Sequence, residues 1–331
     1  MWYTKTGRDS DVVLSSRVRL ARNIKGIPFG RRMSTAQQEE VISRCSGALK
    51  ELKLIDLNKM SETEKRALLE QHLISADMIS NDRKKALLLS GDSSLGVMLG
   101  EEDHIRIQSM APGFDLDLCL ANANKIDDEL EKHVEYGYSE KFGYLTCCPT
   151  NVGTGMRASV MMQLPALAVS GKMEGIISAL SKLGVTVRGI YGEGSKALGN
   201  IFQISNQVTL GVSEEEILQK MKQIVSEVAE KERETAKKLY ENNKYRLEDK
   251  VMRSLGILKN AVILTSDETM SLLSDVRLGV NVGIIKNISL EDIMKTMYAV
   301  LPATVARNYN IEAAEDRDLK RAELVKANLG K

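Results

Sequence analysis

The chain has 331 residues, 43% hydrophobic and 27% charged, which is enough for two domains with sizeable cores. Its 46 Lys and Arg offset 45 Asp and Glu, a balance that argues against a dedicated nucleic-acid or membrane-surface protein. No apolar run suits a signal peptide or a membrane span, and four cysteines with three histidines give neither CxxC nor a zinc spacing. A cytoplasmic chain with free thiols and no metal site is therefore expected; neighbours such as Cys147 and Cys148 are poorly placed to bridge each other.

In chain order, Val12 to Leu20 alternates as a half-buried strand does, followed by an amphipathic run from Ser34 to about Leu54. Ser61-Glu62-Thr63-Glu64 is a capping box for a helix to about His72. His104 to Gln108 alternates again, and Asp115 to about Val134 has a helical pattern. Tyr144 to Cys147 reads as a short strand entering a turn at Pro149-Thr150-Asn151. The spacing predicts a helix over 158–169, kinked or ended by Pro165, and a strand at Val185 to Arg188. A second capping box, Ser213 to Glu216, opens a charged helical stretch to about Lys250, and helices with almost no strand pattern follow. Strands mixed with helices, then helices alone, imply an α+β catalytic domain over 1–212 and a helical domain over 213–331.

The arginines are the most informative residues. A period of two puts Ser15, Arg17 and Arg19 on one face of their strand, with Val12, Leu14, Val18 and Leu20 on the other. Arg106 lies opposite Ile105 and Ile107, and Arg188 opposite Val185 and Val187. Arg157, after the turn Gly153-Thr154-Gly155, is read as a fourth source at a helix start. Any one of these is explained by solvent on an amphipathic strand. Convergence of all needs a polyanion between them, and guanidinium forks match phosphate oxygens. Carboxylates stand beside them at Glu101-Glu102-Asp103 and at Glu193. A guanidinium that is to attack a γ-phosphate must be oriented and must lose a proton, and two glutamates supply both functions.

Rival nucleotide signals are weaker. There is no GxxxxGK[ST], and no glycine loop with HRD and DFG. Gly153 to Ala158 matches GxGxxA, but no strand ending in an acidic residue follows at the spacing a dinucleotide fold requires.

Five segments in order, Ser15-Ser16-Arg17-Val18-Arg19, Glu101 to Arg106, Cys148-Pro149-Thr150-Asn151, Arg157-Ala158-Ser159-Val160-Met161 and Arg188-Gly189-Ile190-Tyr191-Gly192-Glu193, resemble the phosphagen kinases. That resemblance implies an antiparallel sheet flanked by helices that binds Mg2+ and ATP through Ser15 to Arg19, Arg106, Arg157 to Met161 and Arg188 to Glu193, with the arginines on the phosphates. It implies that Glu102 and Glu193 hold the guanidinium, that Cys148 is the reactive cysteine and that His72 is near the nucleotide. Cys45, Cys119 and Cys147 fit better as buried small hydrophobes. Since the first motif begins about a dozen residues from Met1, the helical N-terminal domain of those enzymes is expected to be absent, leaving a guanidino site open to arginine side chains of proteins.

The C-terminal region resembles that of bacterial protein-arginine kinases of the McsB type, through Arg317-Asp318-Leu319-Lys320-Arg321-Ala322. On a helix Arg317 and Arg321 share a face, and the resemblance implies a phosphoarginine-sensing pocket of Arg317, Asp318, Arg321 and Ala322. A solvated helix face is the plainer alternative. The same resemblance implies a homodimer, a zinc-binding activator protein, a AAA+ protease, and a role in stress response and protein quality control. Two other readings share many of the motifs: a kinase of free arginine or another small guanidino compound, and a non-catalytic phosphoarginine-binding adaptor.

Overall fold

The computed structural model describes residues 2–189 and 197–330. The first region holds β1 (Val13–Arg22), α1 (Thr35–Ala48), β2 (Lys53–Asp56), α2 (Glu62–Glu70), β3 (Ala86–Leu89), β4 (Leu95–Leu99), β5 (Ile105–Pro112) and α3 (Leu116–Glu131). A ribbon, β6 (Tyr138–Ser139) with β7 (Gly143–Tyr144), leads into β8 (Met156–Gln163), α4 (Pro165–Val169), α5 (Met173–Lys182), β9 (Val185–Gly189) and β10 (Ile201–Asn206). Helices α6 (Glu214–Asn260), α7 (Ser266–Asn281), α8 (Leu290–Ala299), α9 (Pro302–Tyr309) and α10 (Ala314–Leu329) complete the chain.

Eight strands form one antiparallel sheet in the order β2-β3-β4-β5-β1-β8-β10-β9. The α+β class and the all-helical C-terminal region agree with the sequence reading. The capping boxes at Ser61 and Ser213 both form, each serine accepting from the third helical N–H while the glutamate there returns to the serine N–H.

Alternation divides the sheet into two faces. Val18 and Leu20 on β1, Ile107 on β5, and Ala158 and Val160 on β8 are buried in a core covered by α1, α3 and the first half of α6. The opposite face carries Leu87, Met98, Met110 and Met161 at its ends, packed into a second core with Trp2, Tyr3 and the helices from α7 onward. Helix α6 serves both cores and loses helical geometry once, at Asn243 (φ −136°, ψ 37°).

Two expectations are corrected. Residues Met156–Gln163 form a central strand, not a helix, and only Pro165–Val169 is helical, with proline at its first position rather than at a kink. The strand does alternate, with Met156, Ala158, Val160 and Met162 in the core and Arg157, Ser159, Met161 and Gln163 on the other face, but Met161 interrupts the polar positions and alanine and methionine suit a helix equally well. The amphipathic run from Ser34 ends at Ala48, and Lys53–Asp56 is an edge strand. Strands β3, β4 and β10 carried too little alternation to be read in advance.

Candidate active site

Strand register assembles the site from residues far apart in sequence. Arg19 lies between Gln108 of β5 and Arg157 of β8, and Arg17 lies between Met110 and Ser159. Arg106 pairs across from Ala21, two residues beyond Arg19. Gln203 of β10 stands opposite both Met161 and Arg188. All five arginines therefore share one face of the sheet, over four strands.

These cations are mutually unfavourable. Removal from water pulls the Arg17 pKa down to about 10, with Arg106 adding to the effect. Arg19 is pushed well below its ordinary value by desolvation and then by Arg17 and Arg106. Arg157 is lowered by desolvation, then by Arg188 and Arg106. Arg17 donates only to neutral groups, Gln203 Oε1 at 2.8 Å and Ser159 Oγ at 3.3 Å, and the buried Arg19 Nε has no acceptor. Arg22, three residues on, shows the contrast of a structural arginine. It is bound by Asp127 at 2.7 Å and by the carbonyls of Ala21 and Thr154, and stacked 3.5 Å from the Tyr144 ring centre. Among the described residues Arg17 and Arg19 have no carboxylate hydrogen-bond partner, and a polyanion such as a triphosphate would complete them.

Carboxylates stand at the edge of the cluster. Arg106 reaches Glu101 Oε1 at 2.6 Å and Glu102 Oε1 at 2.7 Å, and Asn151 Nδ2 lies 3.4 Å from the same Glu102 oxygen. Glu101 is almost fully buried, and desolvation raises its pKa against the pull of Arg106. Glu102 is the half-exposed member, and it lines an open cavity of about 760 Å³ with Ile27, Pro28, Phe29, Arg83 and Cys147.

The turn bearing Glu102 is fixed from beneath. Asn23 Nδ2 donates to Asp103 Oδ1 at 2.7 Å, and the Cys147 N–H donates to the same oxygen at 2.6 Å. The His104 N–H donates to Asn23 Oδ1. His104 accepts from the Ile24 N–H at Nδ1, so its proton lies on Nε2, directed to the Pro28 carbonyl at 2.8 Å. Asp103 and His104 lie in the segment the sequence reading singled out, but they act as supports of the turn rather than as site carboxylate or motif member; Asn23, distant in sequence, was missed.

His72 ends α2 in a left-handed conformation, φ 59°. Its carbonyl accepts from Gln108 Nε2 at 2.7 Å, and the ring packs edge-on to Tyr298 of α8 with centres 6.4 Å apart. Desolvation, then Arg17 and Arg19, hold its pKa down to about 3, so the imidazole is neutral at physiological pH. Tyr298 also meets Trp2 and Tyr3, which makes an aromatic cluster from both ends of the chain beside the arginine face.

Other expected residues fall into place unevenly. Ser15, Ser159 and Met161 share the arginine face. Ser16, Val18, Ala158 and Val160 alternate to the other side: three are core, and Ser16 bonds the Gly113 carbonyl and the Asp115 N–H. Their side chains do not reach the site. Arg157 is on a strand rather than at a helix start, and Gly153 and Gly155 are positive-φ turn residues pressed against the Thr209 and Ala21 carbonyls, where no side chain fits. No helix follows them, so the dinucleotide-turn reading fails. Gly189 ends β9, and Ile190, Tyr191, Gly192 and Glu193 lie outside the described residues.

Cys148 is partly exposed, its Sγ 3.0 Å from Thr150 Oγ1, and Cys45 and Cys119 are buried as expected. Cys147 is exposed instead of buried, because the Asp103 anchor turns its backbone inward. Among the described residues no group of three or more His, Cys, Asp or Glu converges on a metal position.

In the C-terminal motif, Arg317 lines a second cavity, of about 500 Å³, with Arg66, Glu70, Ser266, Asp267 and Ala303. Arg321 does not join it. It is 1% exposed, donates to the Val300 and Leu264 carbonyls at 2.8 and 2.9 Å, and pairs with Asp318; Ala322 is also buried. The i, i+4 spacing put both arginines on one face, but that face meets the helical core at Arg321 and solvent at Arg317.

Residues 33–235 match the family described as ATP:guanido phosphotransferase, C-terminal catalytic domain, and residues 244–331 match the protein-arginine kinase McsB C-terminal domain. A protein-arginine kinase of Clostridium acetobutylicum is 43% identical over 99% of both chains. One of Bacillus pumilus is 48% identical over 99% of this chain and 93% of its own. Among solved structures, a lombricine kinase superposes with TM-score 0.60 at 27% identity, over 70% of this chain and 69% of that one. A duplicated taurocyamine kinase from Schistosoma mansoni gives TM-score 0.60 at 30% identity over 66% of this chain, which spans about a third (32%) of that longer protein.

Proposed function

Since the chain belongs to the protein-arginine kinases of the ATP:guanido phosphotransferase family, and is an ATP-dependent arginine phosphotransferase, we propose the following division of labour in its site. The arginine face binds the triphosphate of Mg-ATP through Arg17, Arg19, Arg106, Arg157 and Arg188. Glu102 and Glu193 grip the guanidinium of an arginine presented by a protein. The observation that carries this reading is five arginines on one sheet face with Glu102 at its open edge.

The γ-phosphoryl group moves in line from the β-phosphate oxygen to a guanidino nitrogen. The P–O bond to ADP breaks as the N–P bond forms, and the nitrogen's proton passes to a carboxylate, for which Glu102 is assigned. Arg106, held between Glu101 and Glu102, couples the phosphate cluster to the guanidinium holder. Mg2+ entering with the nucleotide would supply neutralisation of phosphate charge beside the arginines. Cys148, beside Thr150 and following the Asp103-anchored Cys147, is assigned to the guanidinium's vicinity.

The same proposal extends to regulation and partners. Arg317 and Arg66 in the second cavity supply the cations of a phosphoarginine pocket, which Asp267 also lines, while Asp318 pairs with Arg321. Exposed Tyr245, Met252, Ile257, Val262 and Ile263 on α6 and after it support a homodimer. By analogy with the family, the proposal includes a zinc-binding activator, a AAA+ protease, a cytoplasmic site and a role in stress response and protein quality control.

The test is phosphate transfer from Mg-ATP to an unfolded arginine-containing protein and, in parallel, to free arginine, with Glu102→Gln as control. Acid-labile label on protein that depends on Glu102 is expected. Label on free arginine alone would instead make the chain a small-molecule kinase. Phosphoarginine binding without label on either would make it an adaptor.

A further inference from the structure

Two helices that begin with Leu-Pro-Ala lack any capping side chain of their own: α4 after Leu164 and α9 after Leu301. Each is capped by a buried glutamate from the other region of the chain. Glu232 of α6 accepts from the Ala166 and Leu167 N–H groups at 2.7 and 2.9 Å. Glu70 of α2 accepts from the Ala303 and Thr304 N–H groups, both at 2.7 Å, and from the Thr304 hydroxyl at 2.9 Å. The catalytic sheet and the C-terminal helices are thus joined by reciprocal carboxylate caps.

Of the two caps, Glu70's is the one tied to His72 beside Arg17 and Arg19. Glu70 is the last residue of α2, and His72 follows two residues later in the left-handed turn that closes it. The Leu73 N–H returns to the Leu68 carbonyl and the His72 N–H to Leu69, so the turn is rigidly tied to Glu70's own helix. Histidine at a position that favours glycine carries backbone strain, which persists only where surrounding contacts hold it. Those contacts are Gln108 on the sheet, Tyr298 on α8 and, through Glu70, the first turn of α9.

We propose that Glu70 is a positioning residue for the nucleotide site: it places His72 against Arg17 and Arg19 by anchoring the end of α2 to α9. Glu232, an equivalent cap on α4, has no such connection and serves as the internal control. The inference rests on the arginine face being the nucleotide site. Glu70 also lines the cavity that holds Arg66 and Arg317, so an anion bound there meets the same joint.

The experiment is equilibrium binding of Mg-ATP to the full chain, followed by fluorescence of Trp2, the sole tryptophan and part of the cluster with Tyr298, together with steady-state turnover. Glu70→Gln is expected to raise Kd and KM for ATP roughly threefold to tenfold, in line with loss of one cap, while kcat stays within about twofold. Glu232→Gln is expected to leave Kd for ATP unchanged. Thr304→Ala, which removes one of the three bonds, gives a smaller rise of the same kind and reads the effect if Glu70→Gln fails to fold. Equal ATP affinity in wild type, Glu70→Gln and Thr304→Ala overturns the proposal, as does an equal loss in Glu232→Gln. Failure of the wild type itself to bind Mg-ATP would instead overturn the assignment of the arginine face.

Discussion

At the scale of single residues, the distinction that matters is between side chains with partners and side chains waiting for one. Arg22 and Arg321 are saturated by internal acceptors, whereas Arg19 keeps a buried Nε without any. Substituting each class has opposite consequences. Arg321→Ala leaves the Val300 and Leu264 carbonyls without their donor, and a loss of about 1–3 kcal/mol, read as a fall in Tm, is expected. Arg317→Ala touches no such core and is expected to remove any rate change on adding phosphoarginine. Glu102→Gln should cost about two to four powers of ten in turnover while Mg-ATP Kd changes little; parallel loss of both would reassign Glu102 to nucleotide binding. Thiol labelling gives a further check. Cys147 and Cys148 should react in the native protein, and Cys45 and Cys119, whose pKa burial pushes up to about 12, only after unfolding.

At the scale of elements, helix starts carry more than local stability. Ser61 and Ser213 cap their helices from within, and replacing either with alanine should cost about 1 kcal/mol without affecting ATP affinity. The α4 and α9 starts depend on distant carboxylates, and these are pH-sensitive. Burial raises the Glu232 pKa to about 7, outweighing the Leu167 and Ala166 N–H groups that lower it. A carboxyl with a folded pKa above its unfolded value binds a proton more readily when folded. Its contribution to stability is therefore fully present below about pH 4.5 and is lost as pH rises through about 7. The stability deficit of Glu232→Gln relative to wild type should accordingly shrink between about pH 4.5 and 7. Denaturant midpoints across that range measure it, and a constant or growing deficit would show that the carboxyl ionises normally.

At the scale of the whole molecule, the C-terminal helices are part of the catalytic site's surroundings. Tyr298 and the first turn of α9 both reach the end of α2, and the second core joins α7 through α10 to the sheet around the arginine face. Nucleotide affinity should therefore report on docking of these helices as well as on the phosphate-binding arginines. Because most of that binding is phosphate against arginine, Kd for ATP should also weaken as ionic strength rises.

The sequence by itself determined the chemistry on offer. Alternation put Arg17, Arg19, Arg106 and Arg188 on polar strand faces, capping boxes marked α2 and α6, and the order of five motifs pointed to the family. Such signals are local, and local geometry decides them. The strand nature of Met156–Gln163 was obscured because Met161 interrupts the polar positions and its alanine and methionines suit a helix as well as a strand. Only the tertiary structure decided which arginines remain available. Arg317 and Arg321 look equivalent on a helix face, and the packing of α10 against the Val300 and Leu264 carbonyls separates them. The support from Asn23, the supporting roles of Asp103 and His104, and the caps at Glu70 and Glu232 were likewise invisible beforehand. Each is one polar side chain whose partner is distant in sequence, and partners of that kind are chosen by how elements pack rather than by what lies beside them in the chain.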